Sequence, residues 1–286
     1  MSARLAAIGT VLSLFCVTSM ARQSPSPSPA AGTPKSISAA TETSSLPPDQ
    51  IAHAVKSDSV TIPTPGELFA ALAKPAKPDW AARLGGEIPT NFKTRAQIAL
   101  NLGGLIADGF IAVEAQDTQQ VKNIGGDIVK MAKALGVSES ILARGNSINQ
   151  FAENQEWATL QEELEATQNE VKNSMQSHRD QDLIILVSLG GWIRGTQVVS
   201  SVIAKNYDAK LGQVLRQPEL LRFIRSKIEQ ISPEMQNDPL VKDVNAQLGE
   251  IEQIVAKPFG QALSEAEVMT LSESVNKLMQ EIQKKD

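Results

Sequence analysis

The sequence has one cysteine, two histidines and few aromatic residues. Cys16 lies in an apolar N-terminal segment, so the rest of the chain has no thiol for a disulfide or a metal. His53 and His178 are far apart in sequence and belong to no metal-ligand spacing. Aromatic residues make up 4% of the chain, which argues against a base-stacking or carbohydrate-stacking surface. The chain must therefore fold mainly by burying aliphatic side chains.

Familiar catalytic motifs are also missing. The sequence contains no HExxH, CxxC, GxSxG or P-loop pattern. The acidic residues Glu162, Glu163, Glu165 and Glu170 are typical of a solvated helix face rather than a paired-carboxylate site. We therefore predict no catalytic residue, no metal site and no cofactor, and we expect a protein that is not an enzyme.

The N-terminus has the three parts of a secretory signal peptide. Arg4 supplies a positive charge, residues 5–18 are uncharged and mostly apolar, and residues 19–21 are Ser-Met-Ala, with small residues at the cleavage positions. The apolar run is shorter than the roughly 20 residues of a membrane span. We predict a signal peptide over 1–21 and a periplasmic or secreted protein, with membrane association only through an uncleaved signal segment.

The charge balance argues against nucleic-acid binding. Loss of Arg4 with the signal peptide leaves 26 basic and 32 acidic residues, a net charge of −6, and no block of lysine or arginine stands out. A nucleic-acid-binding surface requires a basic patch. We expect the partner to be a protein instead.

Proline and serine divide the remaining chain into two parts. Residues 22–60 are rich in Ser, Pro, Thr and Ala and have little to bury, which predicts a disordered linker. Eleven of the 15 prolines occur at or before Pro89, and none occurs in the 128 residues from Thr90 to Gln217. This pattern predicts a single all-helical domain over 61–286.

Start and stop signals for helices recur through this domain. Thr64 with Glu67, and Ser264 with Glu267, have the spacing of capping boxes. Helices are predicted over about 91–115, 117–135 with Gly136 as the stop, 138–145 with Ser138 as the cap, 153–177 and 182–204, with restarts at Pro218 and Pro239. No segment has convincing hairpin chemistry. The fold class predicted is all-α, an antiparallel multi-helix bundle built from helical hairpins.

Two of the predicted helices share the pattern Leu-Gly-Gly-x-Ile, at Leu102 and at Leu189, 87 residues apart. A helical glycine costs about 1 kcal/mol relative to alanine, so adjacent pairs need a compensating gain. We predict that helices cross closely at these pairs, because backbones without Cβ atoms can approach one another. The pairs are Gly103 with Gly104 and Gly190 with Gly191, and Gly125 with Gly126 is a candidate third crossing. The alternative is a kink or break between shorter helices.

The shared pattern also raises the hypothesis of an internal two-fold repeat. Its two copies would be helical hairpins over about 91–135 and 180–230.

Each of the two glycine-containing helices has one charge among apolar residues. Asp108 and Arg194 have opposite signs, so they are predicted to meet as a buried pair if the helices cross. The pair would fix the register of the helices, or would anchor a ligand beside Trp192. A third interpretation is that the two side chains reach solvent separately.

A membrane span is the alternative interpretation of the stretch from Asp182 to Lys205. Only Arg194 is charged between these ends. A central arginine costs about 2.5–3.5 kcal/mol on insertion scales, and a buried central helix of a bundle has the same composition. We therefore expect a buried core helix.

The segment "ALNLGGLIADGFIAVEAQ" followed by "VKNIGGDIVKMAKALG" resembles hairpins of the tetratricopeptide type. The resemblance covers about 40 residues, and it lacks the closing proline and the repeat of about 34 residues. The Leu-Gly-Gly and Gly-Gly-Trp helices also look like those of uncharacterised exported helical bacterial proteins, a membership that implies no activity.

The sequence as a whole predicts an exported, non-catalytic interaction or scaffold protein. The alternative function is the binding of a small molecule or lipid in an apolar cavity between the glycine-containing helices, next to Asp108, Trp192 and Arg194. A ligand binder should have a cavity of about 300 Å³ or more at that trio.

Overall fold

A computed structural model gives the fold of the 286-residue chain. The structure describes residues 55–57, 60–62, 64–86, 88–177, 180–258 and 260–285, all of which belong to one compact unit. The predicted signal peptide and nearly all of the predicted linker lie outside the described residues.

The described part of the chain is a bundle of eleven α-helices, which confirms the all-α class. In chain order the elements are β1 Val55–Ser57, β2 Val60–Ile62, α1 Pro65–Ala76, α2 Arg95–Glu114, α3 Thr118–Leu135, α4 Ser138–Glu153, α5 Trp157–Ser177, α6 Gln181–Lys205, α7 Ala209–Gly212, α8 Pro218–Ile228, α9 Pro233–Gln236, α10 Pro239–Val255 and α11 Glu265–Gln283. A short 3₁₀ helix, Ala81–Arg83, lies between α1 and α2.

The two strands were not predicted from the sequence. β1 and β2 pair antiparallel, and β2 contacts α8. They lie where the linker was expected to end, at residue 60. The alternation of Val60, Thr61 and Ile62 is the strand signal, but it is only three residues long.

Local sequence sets most helix ends as predicted. Both capping boxes form, with the Thr64 and Ser264 side chains accepting from the backbone N–H groups of Glu67 and Glu267. Gly136 ends α3 in the left-handed conformation at φ 82°, where a residue without Cβ is favoured. Capping chemistry is local, and it could therefore be identified without knowledge of the tertiary structure.

The predicted bounds of α4 and α5 are wrong. Val137 precedes α4 in place of the expected cap Ser138, and α4 continues through Gly145 to Glu153. The helical structure is interrupted instead at residues 154–156, where Gln155 has φ 60°. This break has little signal in the sequence, because a left-handed turn usually carries glycine or asparagine rather than glutamine.

The helices α2 and α6 form the centre of the bundle. Both are long and apolar enough to cross a membrane by length and composition. All of the most apolar window of α2, and 78% of that of α6, is buried inside the bundle. α1, α5 and α11 contact both of them, α3 covers α2, and α8 contacts α6.

The central helices run in the same direction. Arg95 near the start of α2 pairs with Asp180 just before α6, and Asp108 pairs with Arg194 farther along both. Three helices, α3, α4 and α5, lie between α2 and α6 in the chain and are joined by short connections. Each of the four connections reverses the direction of the chain, so α6 runs in the same direction as α2. The central pair therefore departs from the antiparallel arrangement that was expected of neighbours.

The crossing of α2 and α6 is made by backbone atoms. A Cβ added at Gly103 would overlap the carbonyl oxygen of Val187 and lie 2.6 Å from the nitrogen of Gly191. A Cβ added at Gly190 would overlap the carbonyl oxygen of Leu100 and lie 2.9 Å from its Cα. The close crossing predicted at these glycines is present.

This contact is locally symmetric. Each central glycine meets the carbonyl group three residues before the other glycine, Val187 before Gly190 and Leu100 before Gly103. The symmetry extends only to the crossing, and the internal repeat of whole hairpins stays a prediction.

The second glycine of each pair faces a third helix. A Cβ at Gly104 would lie 3.6 Å from Cε of Met279 in α11. A Cβ at Gly191 would lie 3.3 Å from both the Gly103 carbonyl oxygen and Cγ of Pro65 in α1. The glycine pair of α2 therefore leaves room for α11 to pack, and the glycine pair of α6 leaves room for α1.

The third predicted crossing is wrong. A Cβ at Gly125 or Gly126 would meet no atom of the described residues within 4 Å. These glycines border open space.

The adjacent glycines of α2 provide a matched test of the crossing. We expect Gly103→Ala to lower the free energy of unfolding by more than about 3 kcal/mol, because the methyl group collides with backbone rather than with a movable side chain. We expect Gly104→Ala to leave stability unchanged or raise it by up to about 1 kcal/mol, since its methyl group has room and alanine favours the helix. Urea unfolding measures both. Equal effects at the two positions would contradict the crossing geometry.

Candidate functional site

The predicted charge pair is present and buried. Arg194 Nε donates to Asp108 Oδ1 at 2.8 Å, and Arg194 Nη2 lies at the same distance from that oxygen. The two side chains are 8% and 5% exposed. The pair links α6 to α2 just beyond the glycine crossing.

Arg194 makes two further hydrogen bonds. Nη2 donates to the Arg83 carbonyl at 2.6 Å, and Nη1 donates to Gln197 Oε1 at 2.7 Å. The Gln197 amide then donates to Asn276 of α11 at 2.8 Å. The guanidinium thus links α6 to α2 and to the segment before α2, and Gln197 extends the network to α11.

The segment containing Gly85 covers the pair. The Gly85 N–H donates to the Asp108 carboxylate, and a Cβ at Gly85 would lie 3.3 Å from Asp108 Oδ2. Burial raises the pKa of Asp108, and the attraction and hydrogen bonds of Arg194, together with the Gly85 N–H, oppose this rise. Both charged groups therefore have hydrogen-bond partners within the protein, as expected of a pair that fixes the register of α2 and α6.

Trp192 does not join this pair. Because α-helical residues two apart point about 200° apart, Trp192 and Arg194 lie on opposite faces of α6. The Trp192 indole N–H points to Gln217 Oε1 at 3.5 Å, at the limit of a hydrogen bond. The cavity that Trp192 lines measures about 10 Å³, the space of about one water. The trio therefore does not form the ligand cavity that was expected there.

A much larger cavity lies elsewhere, among α2, α3, α4 and α5. Its volume is about 480 Å³, and it is partly open to solvent. Its walls are mainly apolar and include Phe110, Val121, Ile128, Leu164 and Val171. Ligand sites between the helices of bundles typically measure about 300–1,000 Å³, so this cavity has the size and place of such a site.

Four glycines make room for this cavity. Gly109, Gly125, Gly126 and Gly145 all line it. A Cβ at any of the last three would meet no described atom within 4 Å. Gly125 follows Val121 by four residues and precedes Ile128 by three, so it lies on the lining face of α3. The absence of side chains at these positions leaves the space beside them open.

The cavity also has polar lining residues. Its two charged residues, Lys122 and Glu153, form an ion pair at 2.6 Å that joins α3 to α4. The Thr167 hydroxyl donates to the Glu163 carbonyl at 2.7 Å. The side-chain oxygen of Gln168 is buried and accepts no hydrogen bond from the described residues. Asn146 and Asn149 also line the cavity, so its mainly apolar walls include several neutral polar side chains.

Sequence reasoning missed this cavity, although one signal was available. Gly125 and Gly126 lie in a helix that is apolar on one face, and the adjacent glycines were interpreted as a helix crossing. A pair of helical glycines occurs both where two helices touch and where a cavity is left open. Only the position of the neighbouring helix distinguishes the two.

The described residues contain no group of three or more His, Cys, Asp or Glu side chains placed to hold a metal ion. Comparison of the chain with protein-family models, curated proteins and solved structures finds no significant match. The function must therefore be argued from the geometry of the chain itself.

Substitutions at the buried pair test its structural role. We expect Asp108→Ala to lower the free energy of unfolding by about 3–5 kcal/mol, because it leaves the Arg194 guanidinium buried without a countercharge. The double substitution Asp108→Leu with Arg194→Met should recover most of this loss, since it removes both charges at similar volume. Thermal and urea unfolding measure the cycle. If Asp108→Ala is as stable as the wild type, the pair does not fix the register.

Proposed function

We propose that the protein is a non-catalytic binding protein that holds a small apolar molecule among α2, α3, α4 and α5. The observation that carries this proposal is the cavity of about 480 Å³ with mainly apolar walls. The cavity is partly open to solvent, and a bound apolar molecule would shield its apolar walls from water. The proposal keeps the apolar-ligand alternative of the sequence but moves its site away from Trp192.

The glycines support a binding role for the space. Each helical glycine costs about 1 kcal/mol relative to alanine. At Gly103 and Gly190 that cost is offset by the close packing of two helices, whereas a Cβ at Gly125 or Gly145 would meet no described atom within 4 Å. What these two glycines provide is volume.

The N-terminal pattern and the charge of the chain support a location and exclude one class of ligand. The signal-peptide pattern of residues 1–21 supports an exported protein, and a binding protein needs no catalytic group there. The net acidic charge argues against nucleic acid as the ligand.

Docking of a protein partner is a second candidate. Leu142 lines the cavity and is 57% exposed, so it extends the apolar surface from the cavity to the outside of the bundle. A partner could cover Leu142 and insert an apolar side chain into the opening. Native mass spectrometry of protein purified without detergent separates a retained small molecule from a retained protein.

Binding of the neutral fluorophore N-phenylnaphthylamine tests the proposed function. We expect a saturable rise in fluorescence at one site per chain, because the dye is apolar and of suitable size for the cavity. The double substitution Gly125→Leu with Gly145→Leu should abolish this rise, since both leucines fill the space from facing helices.

A matched control places the same side chain outside the cavity. Ala134 is exposed on α3 and does not line the cavity, so Ala134→Leu should leave dye binding unchanged. Circular dichroism verifies that each variant is folded. Undiminished binding by the folded double variant would contradict the proposed site.

A further inference from the structure

The solvent-facing side of the cavity carries an inference about the class of ligand, and this inference rests on the proposed function. Four residues of α4 both line the cavity and are exposed, namely Leu142, Asn146, Asn149 and Glu153. Their spacing of four, three and four residues places them on one face of the helix. Because these residues border the cavity and solvent at the same time, they form its mouth.

The side opposite the mouth is apolar and lies deeper in the bundle. The helices α3 and α5 each contact both α2 and α4, so α2 and α4 lie on opposite sides of the cavity. Ile106 of α2 lines the cavity and is only partly buried, whereas every other apolar residue of α2 is buried. The cavity therefore extends from the mouth on α4 to the central helix of the bundle.

The neutral polar groups of the mouth are two amides. Asn146 and Asn149 are exposed, and each amide can both donate and accept hydrogen bonds. The other neutral polar side chains among the described lining residues are those of Thr167 and Gln168 on α5, which are buried and partly buried. The groups that a ligand can reach for hydrogen bonding are therefore concentrated at the mouth.

The charges at the cavity argue for a neutral ligand. Lys122 and Glu153 are its only charged lining residues among those described, and they pair with each other at 2.6 Å. An anionic group that reached Lys122 would also lie close to the Glu153 carboxylate, so repulsion would offset the attraction. Neither an anion nor a cation therefore gains a countercharge of its own at this site.

The volume sets the size of the ligand. At roughly 30 Å³ per water-sized group, the cavity of about 480 Å³ holds about 16 such groups. A decyl chain joined to a small polar head group falls within this size.

We propose that the cavity binds a neutral single-chain amphiphile, with its hydroxylated head group at Asn146 and Asn149 and its alkyl chain directed towards Ile106. The two amides set the preference for the head group, and the glycines provide space for the chain. Binding involves no covalent change in the ligand.

Displacement of bound N-phenylnaphthylamine by three molecules with the same decyl chain tests the inference. The probes are 1-O-decylglycerol, its di-O-methyl ether and undecanoate. The di-O-methyl ether is the more apolar of the two neutral molecules and cannot donate, so hydrophobicity alone would favour it. We expect decylglycerol to bind about fivefold tighter than the di-O-methyl ether, and undecanoate to bind more weakly than decylglycerol.

Substitution at the mouth separates the hydrogen bonds from the shape of the cavity. Asn146→Ala with Asn149→Ala should remove the preference for decylglycerol over the di-O-methyl ether. Asn173→Ala, at an exposed position of α5 that does not line the cavity, should retain it. The ratio of the two affinities is the readout, so a change in the affinity of the dye itself does not affect the result.

The outcomes distinguish this inference from the proposed function. If the dye binds but the double alanine variant keeps the wild-type preference, the inference is overturned and the proposed function stands. The same holds if the wild-type protein prefers the di-O-methyl ether or undecanoate. If the dye does not bind the wild-type protein at all, the proposed function falls and the inference falls with it.

Discussion

The contact between the backbones of α2 and α6 is the constraint on which the rest of the structure depends. Gly103 and Gly190 place main-chain atoms of the two helices directly against each other, with no side chain between them. Only one rotation and one axial position of the helices bring both glycines to the contact at once. The same position brings Asp108 and Arg194 into hydrogen-bonding distance beyond the crossing. The ion pair therefore forms at the same relative position of the two helices that the glycines require. Arg194 also links the two helices to the segment before α2.

Glycine serves two opposite purposes in this bundle. At the crossing it lets helices approach, and the cost of a glycine in each helix is offset by dispersion and weak Cα–H···O contacts. At Gly125 and Gly145 the helices do not approach, and the absent side chains leave a cavity. α2 takes part in both, since Gly103 holds it against α6 while Gly109 lines the cavity. One wall of the proposed binding site thus belongs to the same helix that makes the backbone contact with α6.

The features that could be predicted from the sequence depend on local chemistry or on a repeated pattern. Capping boxes, the buried helix around Arg194 and the glycine crossing belong to this group, because each is encoded within a few residues. The length of α4, the common direction of α2 and α6, and the cavity depend on how separate segments meet. Gly125 shows the difference most clearly, since its sequence context resembles that of Gly103 and its surroundings are the reverse. Trp192 and Arg194 were grouped by closeness in sequence, yet the helix turns them to opposite faces.

Proton NMR tests the central contact most directly. In Gly103 a hydrogen atom occupies the direction in which a Cβ would lie 2.6 Å from the Gly191 nitrogen, and in Gly190 one points at Leu100 in the same way. We expect strong nuclear Overhauser effects between the Gly103 α-protons and the Gly191 amide proton, and between the Gly190 and Leu100 α-protons. Spectra that assign these protons and show no such effects would mean that side chains separate the two helices, and would contradict the account.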